Sequence, residues 1–470
     1  MLLQDVKGEA EYMRTFDKVM REKVKIFGIE LEFIDFLFMM VMMMLGLILR
    51  FSIFDMVSGD YSASFADWMK EIRNAHAAGL PYIGIEPGGD DNLSTFDYNC
   101  LYQYLLVFIN LFNNGGGNDI YLVKLVPCVF DLVMAFTAFR IVYEMSKSIR
   151  KSEIIFAAVL CFPTIVLNSA GWAQNDSIYT SFVLLSFLSL IRKKDVRCWI
   201  YFSIAFCFKQ QAIFFLPVLI IAFLKNKLKF RYILLTPLFY VINVIPAAIA
   251  GMFVNGQVTV LVTKLVDTGN VTWTSDHAVV NGSVVLEPVG RTFLSLLGIY
   301  SNQVSMFSRL TMNYPNIYTI IQTGLDKSYR SMIITAGELT CVMVFGILAY
   351  YLYKKNTDMN NKLLLIFAVF SCSLIVYCLP CMHERYGYVA EVFALIYAMF
   401  GIKRLFIALV MEGITLVTYT RYLWGASSSL TTANLVVFAY ILLAVILFTS
   451  IDFYNELNKA NTNGSLPANK

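Results

Sequence analysis

A carboxylate stands where a long apolar run ends. In "SGDYSASFADWMKEI" (58–72), Asp60 follows a run that closes near Phe54, and an amphipathic helix begins directly after it. Phe65, Trp68, Met69, Ile72 and His76 recur at three- and four-residue spacing, with Lys70, Glu71 and Arg73 turned away. That face suits a membrane interface, where tryptophan is enriched, but it leaves the aspartate unexplained. Far along the chain, "YCLPCMHERY" (377–386) ends another apolar run with His383, Glu384 and Arg385, two candidate cations beside an acid. This triplet reads either as a solvated loop or as a grip for phosphate, which arginine holds through two parallel N–H groups. Asp131 and Lys209 lie in or near apolar stretches. An ionisable group there costs about 2.5–3.5 kcal/mol on insertion scales, so it either pairs to lock the bundle or has a function.

Composition says what must position these groups. The 470 residues are 58% hydrophobic and 15% charged, with mean hydropathy +0.64. Soluble domains carry roughly a quarter charged residues, and repeated apolar runs here are long enough to cross a ~30 Å hydrocarbon core. A net charge of only +4 gives nucleic acid no footing, so the basic residues mark cytoplasmic loops instead. No cleavable signal peptide is expected, and residues 9–26 read as a basic helix on the inner surface. No phosphate-cradling Gly-Lys-Ser/Thr loop and no dinucleotide glycine fingerprint is present; "NNGGGND" (113–119) is a turn with no strand before it. His76, His277 and His383 are far apart, which disfavours a histidine metal centre. Cys378 and Cys381 have the Cys-x-x-Cys spacing of redox motifs, but without a thioredoxin-like pattern around them they read as two small apolar residues ending a span.

Counting Lys and Arg orients the spans. The first, about 33–53, leaves from a basic side, which places 54–118 outside. Within that loop, 98–112 reads as a second interfacial helix, because counting it as a span would put "SKSIRKS" (146–152) outside. Further spans are expected near 119–145, 153–169, 178–191, 232–251, 332–353, 362–380, 386–402, 405–420 and 432–451. Residues 198–224 return to the side they left, as a hairpin turning at Lys209-Gln210-Gln211. The long polar segment 252–330 lies outside, and the tail 456–470 is cytoplasmic and disordered. The expected fold is an all-α, multi-pass plasma-membrane bundle over 1–455, with about 11–13 transmembrane helices and both termini cytoplasmic. Asp60, the Asp90-Asp91 pair, Asp97, Asp176, Lys209, Asn316, His383, Glu384 and Arg385 then share the outer side. The lack of an evident internal repeat weighs against transporters built from inverted halves.

Seven segments in order, "GDYSASFADWM" (59–69), "FDYNCLYQYLL" (96–106), "KLVPCVFDLVMAF" (124–136), "GWAQNDSIY" (171–179), "FKQQAIFFLP" (208–217), "PNIY" (315–318) and "MHERYGY" (382–388), give the chain a likeness. It resembles the GT-C superfamily of polytopic glycosyltransferases, and most of all the bacterial relatives of the GPI mannosyltransferases. Ala173 stands where the bacterial pattern usually has glycine, Gln210 where it has proline, and Asn99-Cys100 where prolines are common.

The resemblance implies an inverting hexosyltransferase of mannose or glucose type. It would move a sugar from a polyprenyl-phosphate donor to a hydroxyl of a glycan or glycolipid acceptor, at the outer face of the membrane. Asp60 would be the base, its competing reading being a helix N-cap. His383 and Arg385, with Lys209, would hold the donor phosphate. Trp172, Gln174, Asp176, Asn316, Tyr318 and Glu384 would shape the sugar or acceptor pocket, Asp176 being equally readable as a cap. No cofactor is required, since the leaving group carries a single phosphate; a divalent cation is the one group left open. The alternatives are a flippase or other transporter of lipid-linked glycans, and a polysaccharide polymerase or ligase.

Overall fold

The computed structural model describes residues 17–26, 28–77, 98–113, 118–251, 271–273, 277–280, 283–286, 297–300, 309–321, 327–355, 357–425 and 432–464. Asp90, Asp91 and Asp97, most of 252–330 and residues 9–16 of the expected basic helix lie outside these.

Long apolar stretches free of internal breakers become long helices. Six described helices are apolar and long enough to cross a membrane: Phe33–Phe51, Asp119–Ser146, Phe230–Ala247, Tyr329–Lys354, Asn361–Cys378 and Asn434–Asn461. A seventh forms if Ile149–Cys161 and Pro163–Gly171, bent by 46° where Pro163 follows Phe162, count as one span. The chain is thus mostly helical with several candidate spans, as a multi-pass membrane protein requires. In helix order we name α1 (Phe33–Phe51), α2 (Ala66–Ala77), α3 (Cys100–Asn110), α4 (Asp119–Ser146), α5 (Ile149–Cys161), α6 (Asp176–Ile191) and α7 (Asp195–Phe208). There follow α8 (Leu216–Leu224), α9 (Leu235–Gly251), α10 (Lys327–Lys354), α11 (Asn361–Cys378), α12 (Tyr388–Ala398), α13 (Ile402–Leu423) and α14 (Thr432–Gly464).

The span count falls below the expected one for stated reasons. Helix α12 has 11 residues, so at about 1.5 Å each it reaches only about 17 Å. Helix α13 is long enough, but Lys403, Arg404, Glu412 and Arg421 interrupt its apolar character. Within the expected external loop 54–118, α2 and α3 are both present. The hairpin of 198–224 is present too, its arms α7 and α8 joined by a 3-10 turn at Gln210–Phe215.

Three departures from an all-α reading occur among the described residues. Residues 23–26, expected to be helical, form strand β1 (Lys23–Ile26), paired antiparallel with β2 (Ile29–Glu32). Alternation in Ile29-Glu30-Leu31-Glu32 buries Ile29 and Leu31 and exposes the two glutamates, which a strand satisfies and a helix does not. Inside 252–330, β3 (Val271–Trp273), β4 (His277–Val280) and β5 (Ser283–Leu286) form an antiparallel sheet. Strand β6 (Thr311–Met312) pairs in parallel with β7 (Met382–His383), tying this region to the His383 loop. At the other end, α14 runs past Asn455 to Gly464, because Leu457 is buried and Glu456 meets Lys362 at 2.8 Å and Lys459 at 3.1 Å.

Asp131 resolves in favour of a lock. Its Oδ2 accepts from Arg50 Nε at 2.8 Å and from Ser169 Oγ at 2.5 Å, and both charged side chains are buried. Arg50 also donates to the carbonyls of Gly46 (2.8 Å) and Leu160 (2.7 Å), so one ion pair joins α1, α4, α5 and the Ser169 turn. Removing either partner would strand a buried charge, which typically costs about 3–5 kcal/mol.

Candidate functional site

Ser58, not Asp60, opens the segment after α1. Its Oγ accepts the Tyr61 N–H at 3.1 Å and donates to the Trp172 carbonyl at 2.7 Å. Asp60 has helical backbone angles and its side chain makes no capping bond, so the N-cap reading fails. Its carboxylate is held from across the bundle. Oδ2 accepts from Trp172 Nε1 at 2.9 Å and from Gln174 Nε2, with Arg385 Nη1 at 3.5 Å; Oδ1 accepts the Tyr422 hydroxyl. A Cβ at Gly59 would stand 3.0 Å from that hydroxyl, so the chain's smallest residue lets Tyr422 approach.

Two π-helical turns frame this contact, Tyr61–Phe65 directly after Asp60 and Leu167–Gly171 directly before Trp172. Such turns re-aim side chains and recur at functional sites. Between Trp172 and Gln174, Ala173 takes a left-handed backbone (φ +67°), which turns both neighbours onto one carboxylate. The conformation explains why glycine would suit this position. The Trp172 ring stacks on Tyr422 (4.5 Å, 16°), and Tyr98 donates to Gln174 Oε1 at 3.1 Å.

A second carboxylate lies deeper. Asp176 is fully buried in the first turn of α6, with Lys209 Nζ at 2.5 Å, Asn168 Nδ2 at 2.9 Å and Arg385 Nε at 3.8 Å. It is an ion-pair partner, and Asn175 takes the N-cap position. Arg385 therefore stands between two carboxylates, at 3.5 and 3.8 Å, gripping neither through a close bidentate fork. It also lies 5.4 Å from the Trp172 ring centre.

The loop joining α11 to α12 is clamped from behind. Asn316 donates to the Leu379 carbonyl (3.1 Å) and Tyr318 to that of Cys378 (2.9 Å), while the β6–β7 pairing fixes Met382 and His383. Glu384 and Arg385 are buried, which rules out the solvated-loop reading. Burial, reinforced by Arg385 and Lys209, pushes the His383 imidazole down to about 2, so it is neutral here. Burial pushes Glu384 up to about 7 against the pull of Arg385. None of the nine cysteines, Cys378 and Cys381 included, is bridged.

A cavity of about 600 Å³ opens over this arrangement, and Asp60, Lys209, His383, Arg385 and Tyr422 line it. The remaining wall is largely apolar and aromatic, with Phe65, Trp68, Phe206, Ile213 and Phe214. Asp60 keeps 27% of its side chain exposed while Asp176 keeps none, so of the two carboxylates only Asp60 can meet a ligand. The three expected phosphate-holding residues are together on the cavity wall. Trp172, Gln174, Asp176, Asn316, Tyr318 and Glu384 are buried behind it; Trp172 and Gln174 hold Asp60, Asp176 holds Lys209, and Asn316 holds Leu379. Among the described residues, no three His, Cys, Asp or Glu side chains gather as a metal would need.

Sequence reasoning missed Tyr422, Tyr98 and Glu338. Glu338, the one charged residue in the middle of α10, lines the cavity and makes no hydrogen bond or ion pair among the described residues. The insertion-cost argument applied to Asp131 would have flagged it. Tyr422 carries no such mark, since one more tyrosine ending an apolar helix is ordinary. Compared with known proteins, the chain matches no family model and no curated protein, so what stands is a helical protein with several candidate membrane spans.

Proposed function

We propose that the protein is an inverting glycosyltransferase that moves a hexose from a polyprenyl-phosphate donor to an acceptor hydroxyl, at the outer face of the plasma membrane. The observation that carries this reading is one partly exposed carboxylate sharing an apolar-walled cavity with a loosely held arginine. The acceptor oxygen attacks the anomeric carbon as its proton passes to Asp60. The carbon–oxygen bond to phosphate breaks, and its electron pair leaves on the phosphate oxygen. Arg385 and Lys209 offset that charge, and neutral His383 contributes a hydrogen bond rather than a full charge. Trp172, Gln174 and Tyr422 fix the carboxylate's orientation, and the aromatic wall suits an isoprenoid chain. Glu338 offers an unpaired acceptor to sugar hydroxyls. One base and one direct displacement predict inversion at the anomeric carbon.

The test is the purified protein in liposomes with labelled polyprenyl-phosphate hexose and a lipid-linked glycan acceptor. Labelled acceptor with inverted anomeric configuration supports the reading. Donor crossing the bilayer unbroken makes the protein a flippase, and retained configuration excludes the single-base mechanism.

A further inference from the structure

A second cavity, of about 1130 Å³, lies at the opposite end of the bundle. Helix α11 begins in this groove at Asn361, and the residue that follows its last turn, Leu379, lines Asp60's cavity; α6 likewise ends here, at Ile191. The 18 residues of α11 put about 27 Å between the two, close to the ~30 Å thickness of a hydrocarbon core. If one cavity opens at one headgroup level, the groove opens at the other.

Its chemistry is basic. Lys193, Lys227, Lys229, Arg231 and Lys362 line it, against Asp195 and Asp358. Lys227 is paired with Asp358 at 2.5 Å and Lys362 with Glu456 at 2.8 Å. The ammonium groups of Lys193 and Lys229 make no hydrogen bond or ion pair among the described residues, and Arg231 donates only to the neighbouring Tyr232 hydroxyl. Three cations therefore face the groove with no acid assigned to them. The first turn of α11 enters the same space with Asn361 and Lys362, adding the positive end of a long helix. Phe230 lines the groove and is 46% exposed, and Leu234, in the same short turn, is 70% exposed, an apolar surface beside the cations.

We propose that this groove binds the phosphate headgroup of an anionic phospholipid of the inner leaflet, with the acyl chains lying along Phe230 and Leu234. The shared chemistry is a phosphate ester, and the apolar rim selects the lipid-borne form over a soluble one. This site is independent of the glycosyl-transfer reading and uses none of its residues.

The test is native mass spectrometry of the full chain in detergent, supplied with phosphatidylglycerol or phosphatidylcholine in mixed micelles. Wild type should retain phosphatidylglycerol preferentially, and the combined Lys193→Gln, Lys229→Gln and Arg231→Gln variant should lose at least roughly tenfold of that preference, given the contribution of each juxtamembrane cation. All three positions are exposed, and the single Lys229→Gln variant, expected to lose a smaller part, guards against misfolding of the triple. Arg150→Gln with Lys151→Gln, another basic turn, should change nothing. Equal retention of both lipids, or undiminished retention by the triple variant, overturns the site. So does glycerol phosphate or inorganic phosphate displacing the lipid at equal concentration, which would make the ligand a soluble phosphate.

Discussion

At the scale of single residues, the account turns on side chains whose environment contradicts their type. Ala173 occupies left-handed backbone at φ +67°, which costs a non-glycine residue about 1–2 kcal/mol. Glycine would relieve that and lose some of the gain to unfolded-chain entropy. Ala173→Gly should therefore raise thermal stability, by about 1 kcal/mol at most, in a detergent melt; a lower melting temperature would deny the strain. His383 gives a pH dependence of definite sign. Its imidazole moves from 6.5 down to about 2 through burial, Arg385 and Lys209, so below pH 6.5 the unfolded chain takes up a proton that the fold refuses. Its contribution is full above pH 6.5 and drains as pH falls toward 2. Glu384, raised to about 7 by burial, works oppositely and loses its contribution as pH rises through 7. Between pH 6.5 and 5 the two oppose each other, so His383→Gln should leave the Glu384 contribution uncompensated and raise the melting temperature at pH 5 relative to pH 6.5 more than in wild type. A pH slope equal to wild type would show the imidazole is not buried neutral.

Among the elements, what the sequence reveals and what it hides have physical reasons. Helices α1, α4, α10, α11 and α14 announce themselves, because a sustained apolar run has few other stable forms. The carboxylate of Asp60 was visible by position alone. Its binding to Tyr422, 362 residues away, was not, since local pattern carries no information about which helix ends meet. Arg50 was absorbed into an apolar run, and its buried pairing with Asp131 depends on α1 crossing α4 at one height. The β1–β2 hairpin is hidden because Lys23–Ile26 continues a charged stretch that also fits a basic helix, and the alternation that favours a strand lies only in its partner Ile29–Glu32. Helix α10 offers an element-scale prediction. A Cβ at Gly337 would overlap the Tyr318 hydroxyl, and Pro380 lies 3.5 Å away, so this glycine lets α10 close against the His383 loop and bring Glu338 to the cavity. Gly337→Leu should lower turnover at least tenfold and melt several degrees early, the cost of overpacking being about 1–3 kcal/mol. Unchanged turnover would detach α10 from the site.

For the whole molecule, the two poles set the frame. One end gathers Asp60, Lys209, His383 and Arg385 with Asp176 behind them; the other gathers Lys193, Lys229 and Arg231, which pair with no acid among the described residues. In the orientation we propose from the positive-inside rule, the first faces outward and the second inward. Cysteines introduced at Lys193 and Lys229, in a background where native thiols are replaced, should be labelled by impermeant reagent only after the membrane is opened. Labelling from outside would invert the orientation and with it the side on which transfer occurs. The central claim remains the proton transfer to Asp60, and turnover by Asp60→Asn tests it most directly. The amide keeps the shape and can still accept from Trp172 or Tyr422, but it cannot take the acceptor's proton. Loss of a general base costs about 10²- to 10⁴-fold. The account predicts a loss of that size with donor still bound and the melting temperature within a few degrees of wild type. Turnover within threefold of wild type would contradict it.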